Sequence, residues 1–393
     1  MKLPTARLQV LASAALCAGL WGAPGAASAT PTTVAAANGL DDRWPARFEA
    51  ELARLSTQQD IAFGVYVRDL DTGVSASWRA DRAWYLASMV KVPVAIAVLR
   101  GAERGDYELD TRLTLRAGDY VDGAGFTNGH AVGAPLTVRF LLEQMIIYSD
   151  NTASDMLIDL VGVASVNAVA RSLVPEGLAE ITTLADVRRE VYSRLTPAAR
   201  RLSGVDFIEL RKLRTDGERL QMLSRLTGTP VADFKLPTLN AAYDAYYASG
   251  LNVGRLDAHA ELLALLADGK ALDPVRTDYL LGVMARTATG PNRLKSGLPA
   301  RARFAHKTGT QRRRTCDGGI VTAPRVGPLK EPQRVVIVAC TRGENSSVRS
   351  DLVLRQVGMA LCRSGLITSG VIDAPSCPVL PRAESLPAAA PRR

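Results

Sequence analysis

The segment Phe304-Ala305-His306-Lys307-Thr308-Gly309-Thr310 opens a run of strand-like stretches near the end of the chain. Residues 318–322 and 335–341 continue it, each short, apolar and bounded by turn residues. Two further strand-like stretches, 61–69 and 74–79, lie near the start, joined by the hairpin signal Asp71-Thr72-Gly73. Between these groups, residues 88–284 carry mainly helical spacing, with helices predicted over 138–148, 153–161 and 259–267. Residues 41–56 place Trp44, Phe48, Leu52 and Leu55 on one helical face, and 347–362 close the pattern with another helix. Strands at both ends around a helical middle predict an α/β (α+β) fold. One antiparallel sheet is built from both chain ends and flanked by helices, and an all-helical lobe stands beside it. A cleft between the two is the natural place for a site.

The chain has 393 residues, 47% hydrophobic and 22% charged, which is a globular composition long enough for a sizeable core. Residues 1–29 read as a signal peptide: Lys2 and Arg7, an apolar stretch over 8–22, then Ala27-Ser28-Ala29. The expected location is therefore outside the cytoplasm, periplasmic or secreted. The apolar run is too short and alanine-rich for a span, and Leu16 stands before Cys17 where a lipidation signal carries a small residue, so no stable membrane anchor is expected. Residues 30–40 read as a flexible leader, 41–365 as the folded domain with its helical lobe over about 88–284, and the Pro/Ala-rich 366–393 as a tail.

The formal charge is +9, or +7 without Lys2 and Arg7. The arginines are scattered, with Arg312-Arg313-Arg314 the one dense run, and no recognition motif accompanies them, so a nucleic-acid partner is not expected. A basic surface suits an exported monomer working near anionic envelope polymers. Of the five cysteines, Cys17 leaves with the leader. The other four allow three pairings; Cys316–Cys340, in consecutive strand-like segments, and Cys362–Cys377, by proximity, are expected in an oxidising compartment. His130, His259 and His306 are far apart and no CxxC is present, so neither a metal nor another cofactor is expected.

Three motifs carry chemistry. Ser88-Met89-Val90-Lys91 opens an apolar helix, with Pro93 in its first turns. Residues three apart share a helix face, so the Lys91 amine is expected to reach the Ser88 hydroxyl, a weak nucleophile that needs a base. Among the eight lysines only Lys91 has a serine three residues before it. Taken alone, this spacing is as common as chance, and it also fits an N-cap serine followed by a solvated lysine. Ser149-Asp150-Asn151 falls between two helices and alone would read as a cap for a helix beginning near Thr152. Lys307-Thr308-Gly309 lies in a strand, where it is equally an edge protected by a lysine.

Together, in this order, the motifs resemble those of class A β-lactamases and penicillin-binding proteins, and more specifically the class A branch. Tyr148-Ser149-Asp150-Asn151-Thr152-Ala153 with Asp155-Met156-Leu157, and Arg293-Leu294-Lys295-Ser296-Gly297-Leu298-Pro299 leading into His306-Lys307-Thr308-Gly309-Thr310, extend the resemblance over about residues 40–365. It implies Ser88 as acylated nucleophile, Lys91 as its base and Ser149 as the proton relay to the leaving nitrogen. Asn151 would hold the substrate side-chain amide. Lys307, Thr308 and Thr310 would bind the substrate carboxylate, Gly309 would admit substrate close to the backbone, and the N–H groups of Ser88 and Thr310 would form the oxyanion hole. The implied substrate is a small β-lactam, opened through the Ser88 ester, or alternatively a peptidoglycan stem peptide cleaved by a D-alanyl-D-alanine peptidase.

The family also uses a glutamate, followed four residues later by asparagine, to activate the deacylating water. Here Arg188 and Tyr192 stand at those places. Glu190 is the expected substitute base, with Asp186, Asp206 and Glu209 as other carboxylates nearby.

Overall fold

The structure is a computed structural model that describes residues 43–325, 331–369, 371 and 376–379. The signal peptide and leader expected over 1–40 lie outside the described residues, as does most of the tail.

The folded unit begins with helix α1 (Trp44–Gln58) and a hairpin of β1 (Ala62–Asp69) and β2 (Ser75–Trp78). Strand β3 (Trp84–Tyr85) leads through a 3₁₀ turn (Ala87–Val90) into α2 (Lys91–Glu103). Then come β4 (Arg112–Thr114), β5 (Pro135–Thr137), α3 (Val138–Ile147), α4 (Asn151–Val161) and α5 (Val163–Leu173). Four helices follow: α6 (Leu184–Ser193), α7 (Gly204–Lys212), α8 (Asp216–Thr227) and α9 (Leu239–Tyr247). Strand β6 (Val253–Gly254), α10 (Leu256–Ala267) and α11 (Pro274–Ala285) complete the middle. Strands β7 (Arg303–Gln311), β8 (Arg314–Ala323) and β9 (Gln333–Arg342) and helix α12 (Ser347–Arg363) close it.

The sheet has the order β2-β1-β9-β8-β7 and is antiparallel throughout, so both ends of the sequence build it, as the strand pattern predicts. Strand β9 explains why this sheet reads as continuous apolar sequence. Val335, Ile337 and Ala339 enter one buried cluster with Trp44, Phe48 and Leu52 of α1 and Val353, Leu354 and Val357 of α12. Val336, Val338 and Cys340 enter another, with α2, α3 and α10. With helices on both faces, successive residues alternate between two cores rather than between core and water. The middle is not wholly helical: β3 pairs with β6 and β4 with β5, ribbons of two and three residues a side. Such lengths are too short to show period-two alternation in sequence.

A third cluster belongs to α6–α9. Val187, Val191, Phe207, Leu210, Leu239 and Tyr246 pack together and onto Tyr85 and Ala87, the residues just before Ser88. Tyr85 meets the Tyr246 ring edge-on at 5.7 Å. Both expected disulfides are present: Cys316–Cys340 joins facing residues of β8 and β9, and Cys362–Cys377 fastens the segment after α12.

Helix α12 lies against the 3₁₀ turn Leu294–Gly297 through two glycines. A Cβ on Gly358 would stand 2.4 Å from the Leu294 carbonyl, and one on Gly297 2.1 Å from that of Arg355. Ordinarily glycine to alanine inside a helix stabilises by about 1 kcal/mol. Here the overlap reverses the sign: Gly358→Ala is expected to lose about 1–3 kcal/mol of stability in urea unfolding, and a gain would show that the two backbones are not in contact.

Candidate active site

The turn that bears Ser88 is set by its neighbours. Ala87 holds φ at 49°, a left-handed conformation costly for a residue with a side chain, and the turn it makes presents Ser88 to a cavity of about 750 Å³. Ala87 before it and Met89 and Val90 after it are buried, so the 3₁₀ turn is anchored on both sides of the half-buried Ser88. Ser149, Asn151, Thr308 and Thr310 line the same cavity. The three motifs, 61 and 158 residues apart along the chain (Ser88 to Ser149, Ser149 to Lys307), therefore converge on one cleft.

Lys91 is fully buried. Its Nζ donates to the Ser149 carbonyl (2.7 Å), the Asp150 carbonyl (3.2 Å) and Asn151 Oδ1 (2.7 Å), and reaches Ser149 Oγ at 3.4 Å. The sequence reading aims this amine at Ser88; in the structure its hydrogen bonds go to the Ser149–Asn151 turn instead. The reason is that turn's own geometry. Ser149 takes φ 62°, and Asp150 caps α4 by accepting from the Ala153 N–H (3.0 Å) while its second oxygen accepts from the Thr127 N–H (2.9 Å). Two carbonyls and the Asn151 amide oxygen are thereby turned toward the lysine, and Asn151 Nδ2 donates to the Asp122 carbonyl at 2.6 Å. The helix starts at Asn151, one residue earlier than the capping reading places it. Burial pushes the Lys91 pKa down to about 7, with Arg188 acting in the same direction and Asp150 and Asp155 opposing it.

Lys307, on β7, is equally buried. Its Nζ donates to Ser149 Oγ (3.0 Å) and to the Thr308 carbonyl (3.0 Å), and burial, then the charges of Lys91 and Arg293, hold its pKa well below the usual lysine range. The Ser149 hydroxyl thus stands between two buried amines. Next to it, Thr308 Oγ1 contacts Thr289 Oγ1 at 2.5 Å. Thr310 Oγ1 accepts from Arg293 Nη2 at 2.8 Å.

Arg293 was not singled out by sequence as a site residue, although it heads the stretch 293–299. It is buried, paired with Asp351 at 2.7 Å, and its Nη1 donates to the Gly309 and Cys316 carbonyls (3.2 and 3.0 Å). It fixes the strand segment that carries Thr310. At Gly309 the sequence reading gives the space to substrate. The structure gives it to the backbone before Ser88: a Cβ there would lie 2.3 Å from the Leu86 carbonyl. His306 faces away from the cleft, buried with Nδ1 2.7 Å from Asp317, and His259 is buried with its pKa pushed down to about 4 by burial.

With this geometry in place, comparison with known proteins decides the family. Residues 47–364 match the pattern of the β-lactamase enzyme family. The chain belongs to that family. A β-lactamase of Streptomyces albus G is 25% identical over 323 residues, covering 80% of this chain and 84% of that protein. The β-lactamase of Streptomyces fradiae is 34% identical over a shorter 155 residues, 38% of this chain and 48% of the relative, so the match spans about half that relative's length. Among solved structures, a class A β-lactamase representing the last common ancestor of Gram-negative bacteria is 25% identical with a TM-score of 0.57, covering 80% of this chain and 97% of that one. An acyl-enzyme complex of a PBP-A variant with penicillin G has the same fold: 23% identity, TM-score 0.60, 80% and 94% coverage.

The family member described here departs from the sequence expectation at the deacylation position. Arg188 and Tyr192 do line the cavity, and both lie on helix α6. Glu190, two residues from Arg188, points to the other side of the helix; its carboxylate pairs with Arg200 (2.7 Å) and Arg194 (3.5 Å), and it does not line the cavity. Its expected role as base is therefore not met by its position. Asp186 pairs with Arg189, Asp206 caps α7 through Ser203, and Glu209 pairs with Lys212, all away from the cavity. Asp155 ties α4 to the start of α6 by accepting from the Leu184 and Ala185 N–H groups (2.7 and 2.8 Å), and burial raises its pKa to about 6.

Arg188 is itself buried and paired with Asp122 at 2.5 Å, with Arg211 a further 3.6 Å partner of the same carboxylate. Removing the arginine strands a buried charge. Arg188→Met is expected to cost about 3–5 kcal/mol in denaturant unfolding, and Asp122→Asn added to it to recover a large part of that loss. Additive losses in the pair would refute the coupling.

Proposed function

We propose that this protein is an active-site-serine β-lactamase that opens the lactam amide through an ester on Ser88. The observation that carries the reading is the Ser149 hydroxyl held between the two buried amines of Lys91 and Lys307 beside the cavity that Ser88 lines. A lysine with its pKa near 7 is substantially neutral at working pH, so it can accept a proton, as an ordinary lysine cannot. In this scheme Ser88 Oγ attacks the lactam carbonyl and its proton passes to the Lys91 system. The N–H groups of Ser88 and Thr310 stabilise the oxyanion, and the carbon–nitrogen bond breaks as Ser149 delivers a proton to the nitrogen. Lys307, Thr308 and Thr310 hold the substrate carboxylate, and Asn151 the side-chain amide. Export to an oxidising compartment, periplasmic or extracellular, accords with the two disulfides.

A second reading rests on Arg188. A guanidinium engaged with Asp122 stands where deacylation requires a base for water, which favours a long-lived ester and hence a penicillin-binding protein or D-alanyl-D-alanine peptidase acting on peptidoglycan stem peptides.

Purified protein mixed with a chromogenic cephalosporin, followed by absorbance and intact mass, separates the two. Steady turnover is expected for the β-lactamase, whereas a persistent adduct without turnover would assign the second reading. In either case Ser88→Ala is expected to form no adduct, and an adduct on that variant would overturn the assignment of the nucleophile. The acylation rate constant is also expected to rise with pH through about 7, because lowering of the Lys91 pKa makes the basic form grow in above that value. A rate flat from pH 5.5 to 9 would remove Lys91 from the proton path.

A further inference from the structure

Helices α6–α9 and the turn between β7 and β8 contribute a cationic part of the cavity lining. Among the described residues lining the cavity are five arginines, Arg188, Arg211, Arg219, Arg312 and Arg313, against three carboxylates, Asp122, Asp216 and Glu344. The carboxylates are already shared. Asp122 is met by Arg188 and Arg211, Asp216 by Arg219 and by Arg312 in a short contact, and Glu344 by Arg349 from outside the cavity. Arg313 pairs with Asp244, which does not line the cavity.

The five differ in how firmly they are held. Arg188 is buried, Arg219 also donates to the Leu210 and Leu213 carbonyls, and Arg312 to Asn240 Oδ1. Arg211 has only the 3.6 Å approach to Asp122, and its side chain is 55% exposed. It stands in the last turn of α7 with a guanidinium available to the cavity. Arg188, Arg211 and Arg219 stand on α6, α7 and α8, whereas Lys307, Thr308 and Thr310, the groups assigned above to the carboxylate on the lactam-derived ring, stand on β7, with Arg312 and Arg313 in the turn that follows it. Two separate cationic places in one cavity fit a dianion better than a monoanion.

We infer that this arginine wall is a second anion subsite, selecting acyl donors that carry a carboxylate on the acylamino side chain, with Arg211 as its principal contact. The inference rests on acylation of Ser88 and deepens that reading to a substrate class. A matched pair tests it: α-carboxybenzylpenicillin and benzylpenicillin, which differ by one side-chain carboxylate. The second-order rate constant for adduct formation is measured by quenched-flow intact mass at low and at 0.5 M salt. The carboxylated compound is expected to acylate about tenfold faster at low salt, with the ratio falling as salt screens the exposed guanidinium. Arg211→Gln is expected to bring the ratio close to one and Arg211→Lys to retain part of it. A ratio at or below one in the unaltered protein, or a ratio unchanged in Arg211→Gln, would overturn the inference while leaving the Ser88 ester intact. Failure of both compounds either to form an adduct or to be hydrolysed would instead bring down the acyl-enzyme reading and this inference with it.

Discussion

An ammonium group taken out of water must be met by oxygen acceptors or give up its charge, and Lys91 does some of each. Its burial at the start of α2 is tolerated because the Ser149–Asn151 turn offers two carbonyls and an amide oxygen within 3.2 Å. That single grip joins the core helix to the second motif, and through the Ser149 hydroxyl to Lys307 on the sheet. The strained φ of Ser149, the Asp150 cap and the ordering of residues near Thr127 all serve to point those acceptors inward. Incomplete compensation for burial leaves the amine poised to lose its proton, which is the property that acyl transfer asks of it.

The sheet contributes position rather than chemistry. Its five strands come from both chain ends, so β7 is registered against β8 and β8 against β9 over about ten residues each, and Arg293 locks the Gly309 and Cys316 carbonyls from outside. The close approach of Gly309 to Leu86 then ties strand β7 to the turn bearing Ser88. Thr308 and Thr310 are thereby placed relative to Ser88 by the strand's own backbone and by the Arg293 guanidinium that holds it.

The sequence made the large elements legible because their periodicity is produced by burial, and burial is strong here: α1, α3, α10 and α12 and the strands of the sheet begin and end within a few residues of the pattern. The disulfides are readable for simpler reasons, Cys316–Cys340 from consecutive strands and Cys362–Cys377 from proximity in the chain. What could not be read was side-chain direction within a turn. Ser88 and Lys91 share a helix-like spacing, yet a 3₁₀ turn precedes α2 and the competing acceptors of a turn 58 residues away take the amine. Glu190 fails for the complementary reason: it lies two residues from Arg188 in sequence, but α6 is helical, so two positions of offset carry it to the far side. Arg293 is hidden because its partners, the Gly309 and Cys316 carbonyls, the Thr310 hydroxyl and the Asp351 carboxylate, lie 16 to 58 residues away and leave no local mark in sequence.

The satellite core of α6–α9 has a consequence for how this scaffold can be recombined. Its apolar residues close over Tyr85 and Ala87, so the segment that shapes the far wall of the cavity also supports the posture of the turn bearing Ser88. It is therefore not an interchangeable module. A chimera that imported the corresponding segment of a relative would present the hydroxyl at a new angle unless Tyr85 and Ala87 travelled with it, and drift in the pocket wall along a lineage is bound to compensating drift at those two positions.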